Sequence, residues 1–189
     1  MPARAEILVI AATPRELATS AGWRTLLCGV GPVEAAASTA AAIEASRPAA
    51  ILHVGIAGGR RRAAFPPASL VIGREARYDD LVIPEPWSPD TVQASRELLG
   101  AVQRAFPGVP TCVIGTSGRV GGSADCDVEA MEGFAVLRAA ERAGVPAIEV
   151  RAIANEIEEE DRARWHFAAA FAAISAATPQ LVAAIESAS

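Results

Sequence analysis

The feature that most constrains this chain is a series of short apolar runs, at residues 6–12, 25–28, 50–55, 69–72, 111–115 and 147–153, that do not alternate with polar residues. A strand with one wet face alternates, so runs of this kind, bounded by glycine or proline, read as strands buried on both faces. Helical patterns separate them at residues 33–46, 88–106 and 131–143, and a C-terminal pair comes last at 162–176 and 179–187. Pro32 opens the first of these helices, while Gly144 and Pro146 close the third. The alternation predicts one α/β domain over residues 1–189, with a central mixed, mostly parallel sheet flanked by helices. Residues 60–67 and 83–89 read as loops. With 51% hydrophobic residues, a chain of this length can bury a substantial core.

Composition excludes whole classes of chemistry. The sequence contains arginine but no lysine. Schiff-base catalysis, a P-loop with its phosphate-binding lysine and a Ser-Lys nucleophile pair are therefore ruled out. A net charge of -5 gives no basic excess for nucleic acid. The apolar runs read as short and interrupted, below the roughly 18–20 residues that span a bilayer, so no membrane partner is expected. No signal-peptide pattern is read at the N-terminus, and a cytoplasmic location is the expectation. Cys28, Cys112 and Cys126 are widely spaced without a CxxC pair, and His53 and His166 are the only histidines, so neither a metal nor another cofactor is expected. Cys28 and Cys112 sit in apolar runs and read as buried, whereas Cys126 lies in a polar stretch and reads as exposed.

In open α/β sheets ligands collect at the carboxyl ends of strands, which directs attention to the residues just after each run. The first run leads into Thr13-Pro14-Arg15-Glu16, the second into Gly29-Val30-Gly31-Pro32 and the third into Gly55-Ile56-Ala57-Gly58-Gly59. A Gly-x-Gly turn opening a helix lets backbone N–H groups approach an oxygen-rich ligand, yet the third glycine of a dinucleotide fingerprint is absent. Gly115-Thr116-Ser117-Gly118 is not a nucleophile elbow. Two carboxylates, Glu129 and Glu132, stand at a helix entrance, and Asn155 ends the last strand.

Taken in order, these segments resemble the purine nucleoside phosphorylase and nucleosidase superfamily over nearly the whole chain. The likeness rests on Glu16 after a strand, Gly29-Val30-Gly31-Pro32-Val33-Glu34, Val54-Gly55-Ile56-Ala57-Gly58-Gly59, Glu75-Ala76-Arg77-Tyr78-Asp79-Asp80, Met131-Glu132-Gly133 and the stretch from Val145 to Asn155. Within it the chain most resembles the futalosine hydrolases, with methylthioadenosine/S-adenosylhomocysteine nucleosidases as close relatives.

The resemblance implies cleavage of a purine N-glycosidic bond, with hypoxanthine released from futalosine. It assigns water activation to Glu16, the ribose hydroxyls to Glu132, a sugar contact to Met131 and the purine to Asn155. An asparagine where adenine-specific relatives carry aspartate suits a 6-oxopurine, since an amide hydrogen-bonds but does not readily transfer a proton. His53 takes the place where phosphorylases hold a phosphate-binding arginine, which favours water as nucleophile, but His53 reads equally as a strand histidine hydrogen-bonded inside the core, and Arg15 is an alternative phosphate ligand. Ile56 replaces a serine common in nucleosidases, and Gly58 belongs to the same strand exit. Futalosine carries an aromatic carboxylate on its 5′ side, for which Arg60 in the run Arg60-Arg61-Arg62 is a candidate partner, although the run reads equally as a solvated surface stretch; Arg162, Arg164 and Trp165 are further candidates. The resemblance further implies a homodimer, and the alternatives it leaves are another purine nucleosidase or phosphorylase, or a nucleoside-binding module without turnover.

Overall fold

The computed structural model describes residues 2–82, 87–122 and 125–188. Its strands are β1 (Ile7–Ala11), β2 (Arg24–Leu27), β3 (Ala50–Gly59), β4 (Leu70–Tyr78), β5 (Thr91–Gln93), β6 (Thr111–Thr116), β7 (Val128–Ala130) and β8 (Ala147–Glu156). Its α-helices are α1 (Pro32–Ser46), α2 (Arg96–Ala105), α3 (Gly133–Arg142) and α4 (Phe167–Glu186).

β1 pairs in parallel with β2 and β3, and β3 in parallel with β8. β8 runs antiparallel to β4, β4 is parallel to β6, β6 is parallel to β7, and β7 returns antiparallel to the last residues of β3. Strands β3, β8, β4, β6 and β7 therefore close a ring, with β2–β1 as one wing and β5, antiparallel to β4, as the other. Parallel pairings outnumber antiparallel ones among the described residues, and this is the mixed, mostly parallel sheet expected from the sequence.

The unalternating strands have the burial that their pattern demands. Along β1 all five residues are buried: Ile7, Val9 and Ala11 join the cluster that includes α2 and α4, while Leu8 and Ile10 join α1 and α3 on the opposite face. A third cluster, among them Val71, Ile114, Val128 and Ile153, fills the inside of the ring. At about 25 cal/mol per Å² of apolar surface removed from water, these layers are the main source of stability.

Three expectations need correction, and one falls partly outside what the structure describes. The helical pattern at 88–106 holds a strand in its first half: Val92 is buried and pairs with Ala76, and the helix starts only after Ser95, whose Oγ accepts from Leu98 N–H at 3.5 Å. Residues 83–86 of the second expected loop lie outside the described residues. The C-terminal pair is a single helix that continues through Pro179. Proline inside a helix costs about 3 kcal/mol, but Ile174, Leu181, Val182 and Ile185 keep one buried stripe across the break. This continuity gives α4 20 residues with a mean hydropathy of 1.6, long and apolar enough by composition to cross a bilayer. Here it packs lengthwise on β3 and β8 as a core helix. Finally, Cys126 is buried rather than exposed.

Candidate active site

The site forms where the sheet divides. β1 follows β3 only as far as the Ile10–His53 pair, and β7 takes up the same edge from Gly58 onward. In the interval the N–H of Ile56 has no strand to donate to among the described residues, and Glu16 Oε1 accepts it at 3.2 Å. Glu16 arrives there on a single turn of 3-10 helix, Pro14–Glu16, directly after β1. Its other oxygen accepts from the N–H and the hydroxyl of Thr13, each at 2.8 Å. The carboxylate is thus fixed in a nearly buried position at the strand gap.

Glu132 comes from the other side, between β7 and α3. Oε1 accepts the Gly31 N–H at 3.1 Å, and Oε2 faces Arg151 Nη2 at 3.4 Å. Gly31 has φ 91°, a left-handed geometry that glycine adopts without strain, and it is the residue before the first turn of α1. The positive end of the helix and the guanidinium thus meet the two oxygens of one carboxylate. The glycine turn expected to approach a ligand oxygen therefore spends this N–H on an acid of the protein itself.

Arg151 lies behind both acids, wholly buried on β8. Its Nε donates to Glu149 Oε1 at 2.7 Å and its Nη2 to His53 Nε2. His53 Nδ1 is 3.1 Å from the Ile10 carbonyl, which can only accept, so Nδ1 carries the proton and Nε2 offers its lone pair to Arg151. Burial, reinforced by the Arg151 charge, holds the His53 pKa well below its ordinary value and keeps the ring neutral. Burial pushes the Glu149 carboxyl up against the opposing pull of Arg151, and Glu149 Oε2 has no hydrogen-bond partner among the described residues. Two glycines make room for the cluster. A Cβ on Gly55 would stand 2.1 Å from Arg151 Nη1 and 2.8 Å from Glu16 Oε1, and one on Gly133 would stand 2.2 Å from Glu149 Oε2.

Above this floor opens a cavity of about 280 Å³. Glu16, Glu132, Met131, Ile56, Gly58 and Asn155 all line it, so six residues from four separate segments of the sequence meet in one place. Asn155 comes after a register shift between β3 and β8 at Ala57/Gly58, a bulge of the kind that re-aims a side chain. One of its amide N–H groups donates to the Glu156 carbonyl at 2.9 Å, leaving the second N–H and Oδ1 for other partners. A second hollow of about 290 Å³ shares Asn155 and reaches Arg164 and His166.

Two expected residues are elsewhere. His53 lies in the buried cluster and does not line the cavity. Arg60 is held by Glu158 at 3.4 Å and is likewise not part of the lining, while Arg61 pairs with Glu156 at 2.7 Å and Arg62 with Asp127 at 2.8 Å. Ser117 is buried and donates to Asp80 at 2.9 Å, which makes it a turn residue. Glu129 and Trp165, both named from the sequence, also line the cavity, whereas sequence reasoning does not single out Arg151 behind it or the rest of an aromatic wall, Phe167 and Phe171. Phe167 and Phe171 stand four residues apart on α4, a helical spacing that could have marked them as one face.

The model of the phosphorylase superfamily matches residues 24–186. This chain belongs to that superfamily. Glu16 precedes the matched span. Among superfamily relatives, the futalosine hydrolase of Streptomyces coelicolor (strain ATCC BAA-471 / A3(2) / M145) is 36% identical over 196 residues, covering 88% of this chain and 81% of that one. The fold is also that of the futalosine hydrolase of Helicobacter pylori strain 26695, with a TM-score of 0.83 at 15% identity over 94% of this chain and 97% of that one. A methylthioadenosine/S-adenosylhomocysteine nucleosidase from Colwellia psychrerythraea 34H, solved with adenine, gives a TM-score of 0.83 at 17% identity over 94% of both chains.

Proposed function

We propose that this protein hydrolyses the N-glycosidic bond of futalosine, releasing hypoxanthine and dehypoxanthinyl futalosine for menaquinone biosynthesis. The observation that carries the reading is the pair of nearly buried carboxylates, Glu16 and Glu132, lining one cavity with Asn155. Its support in kinship is the 36% identity to the Streptomyces enzyme.

In this reading Glu132 accepts the ribose 2′- and 3′-hydroxyls, with its carboxylate already oriented by Gly31 and Arg151. Met131 packs on the sugar. As the bond to the base lengthens, the sugar gains oxocarbenium character, and the carboxylates stabilise the developing positive charge. Glu16 orients a water and takes its proton as the water attacks the anomeric carbon. The free N–H of the Asn155 amide donates to N7 or to the 6-keto oxygen of the departing purine. His53, neutral and fully engaged, supplies no cation for phosphate, which supports water as nucleophile.

The test is a panel of futalosine, methylthioadenosine and inosine, with released base and sugar identified by chromatography. Hypoxanthine from futalosine in preference to the other two is the expected result. Binding of all three without product would replace the reading with that of a binding module. The reading includes a homodimer in the cytoplasm: Val30, which lines the cavity, and Val33 just beyond it are 56% and 77% exposed, an apolar edge suited to a second subunit. Light scattering should give twice the 19.5 kDa chain mass, and a fully active monomer would reject the dimer.

A further inference from the structure

The aromatic wall of the cavity is a continuous ladder with a guanidinium at each end. Trp165 and Phe167 have ring centroids 5.3 Å apart, and Phe167 and Phe171 stack at 6.1 Å. Arg162 lies over Trp165 with its guanidinium carbon 5.5 Å from the ring centroid, and Arg15 lies over Phe171 at 4.4 Å. All three rings line the cavity, while the two arginines lie at its exposed rim behind them and are not part of the lining.

Most arginines near this end of the molecule are already matched to acids. Arg60, Arg61, Arg62 and Arg164 each form an ion pair, and Arg151 has Glu132 and Glu149. Arg15 and Arg162 have no ion pair among the described residues. Their positions differ in one respect that matters. Arg15 belongs to the same 3-10 turn that delivers Glu16 to the strand gap, and that turn packs against α4. Its charge is therefore tied, through one residue of backbone, to the acid at the reacting end of the cavity. Arg162 sits at the other end of the ladder, in the segment before α4, and its approach to its ring is longer.

A guanidinium over a ring face is held by the ring without using its N–H groups, and a carboxylate matches the guanidinium fork in two parallel hydrogen bonds. An aromatic wall ending in such a cation suits a ligand group that is itself aryl and anionic. The geometry points to Arg15 as the residue that selects a nucleoside whose 5′ substituent carries an aryl carboxylate. This assignment rests on the nucleosidase reading of the same cavity and adds to it the determinant of substrate charge.

The experiment compares futalosine with its neutral methyl ester, on the wild-type protein, Arg15→Gln and Arg162→Gln. Two quantities are read for each: kcat/KM for hypoxanthine release, and the dissociation constant by calorimetry with the 5′ acid or its ester. The wild type should prefer the acid by roughly tenfold to a hundredfold, the range expected for a charge-assisted bidentate contact. In Arg15→Gln this preference should fall toward unity, mainly through KM and the dissociation constant, while Arg162→Gln keeps it. An acid-to-ester ratio unchanged in Arg15→Gln, or lost only in Arg162→Gln, overturns the assignment. If no hypoxanthine is released but acid-selective binding is lost in Arg15→Gln, the hydrolytic reading falls and the role of Arg15 stands. Release of hypoxanthine with an unchanged ratio does the reverse.

Discussion

Arg151 Nη2 stands 3.4 Å from Glu132 Oε2, and both side chains are almost wholly buried. Such a pair contributes little net stability when complete, because taking two charges out of water offsets their attraction. Its removal from one side is another matter. With Arg151 gone, Glu132, Glu149 and Glu16 would share a dry floor without a counter-charge, and the His53 lone pair would lose its donor. Arg151→Met should lower stability by about 3–5 kcal/mol, measured by urea unfolding. A loss under about 1 kcal/mol would mean that the cluster is more hydrated than its burial implies.

Gly55 is the closest approach in the site. A methyl group there meets Arg151 Nη1 at 2.1 Å, and this guanidinium has no room to retreat because it is wholly buried. Gly55→Ala should therefore destabilise the protein by roughly 1–3 kcal/mol, the usual scale of overpacking, and displace Glu16 as well. Both effects are visible together in a thermal melt and a steady-state assay. Unaltered activity in Gly55→Ala would show that the Glu16 position is not critical.

His53 gives a pH signature with a definite sign. Its folded pKa is lowered from 6.5, so below that value the unfolded chain takes up a proton that the native state refuses. The stability held at neutral pH is lost on acidification, by about 1 kcal/mol per pH unit between roughly pH 6 and 5. Glu149 acts in the opposite sense. Its pKa is raised above 4.5, so its contribution is largest in acid and declines as pH rises through the raised value. Comparing wild type with His53→Gln by urea unfolding isolates the histidine, because Glu149 is common to both. The acid-side slope should flatten in the variant, and equal slopes would show that His53 titrates normally.

In the proposed reaction Glu16 and Asn155 divide the chemistry between nucleophile and leaving group. Glu16→Gln keeps an acceptor for Ile56 N–H but removes the base, so kcat should fall by about 10²–10⁴-fold with a small change in KM. Asn155→Asp should shift preference from inosine-type toward adenosine-type substrates, read as a ratio of kcat/KM values. Unchanged discrimination would remove Asn155 from base recognition.

The legible and illegible parts of this site differ for physical reasons. Glu16, Met131, Glu132 and Asn155 stand at strand exits or helix entrances, and the resemblance supplies their roles, so their convergence can be expected from the chain alone. Arg151 carries no such mark. It sits inside the apolar run Ala147-Ile148-Glu149-Val150-Arg151-Ala152, where an arginine is tolerated only because Glu132, Glu149 and His53 surround it in the fold. His53 and Arg60 depart from expectation for the complementary reason: a histidine in a strand and an arginine in a loop can face either way, and their partners, the Ile10 carbonyl and Glu158, are distant in sequence. The closed ring of strands depends on β7, three residues long, too short for any periodicity to register.

The central claim is that a carboxylate in the strand gap turns this cavity into a hydrolase. Its most direct measurement is the product of futalosine turnover in phosphate-free buffer and again with phosphate added. The account predicts free hypoxanthine and dehypoxanthinyl futalosine at the same rate in both, with the rate collapsing in Glu16→Gln. Base release that requires phosphate and yields a sugar 1-phosphate, or no release from futalosine at all, would contradict it.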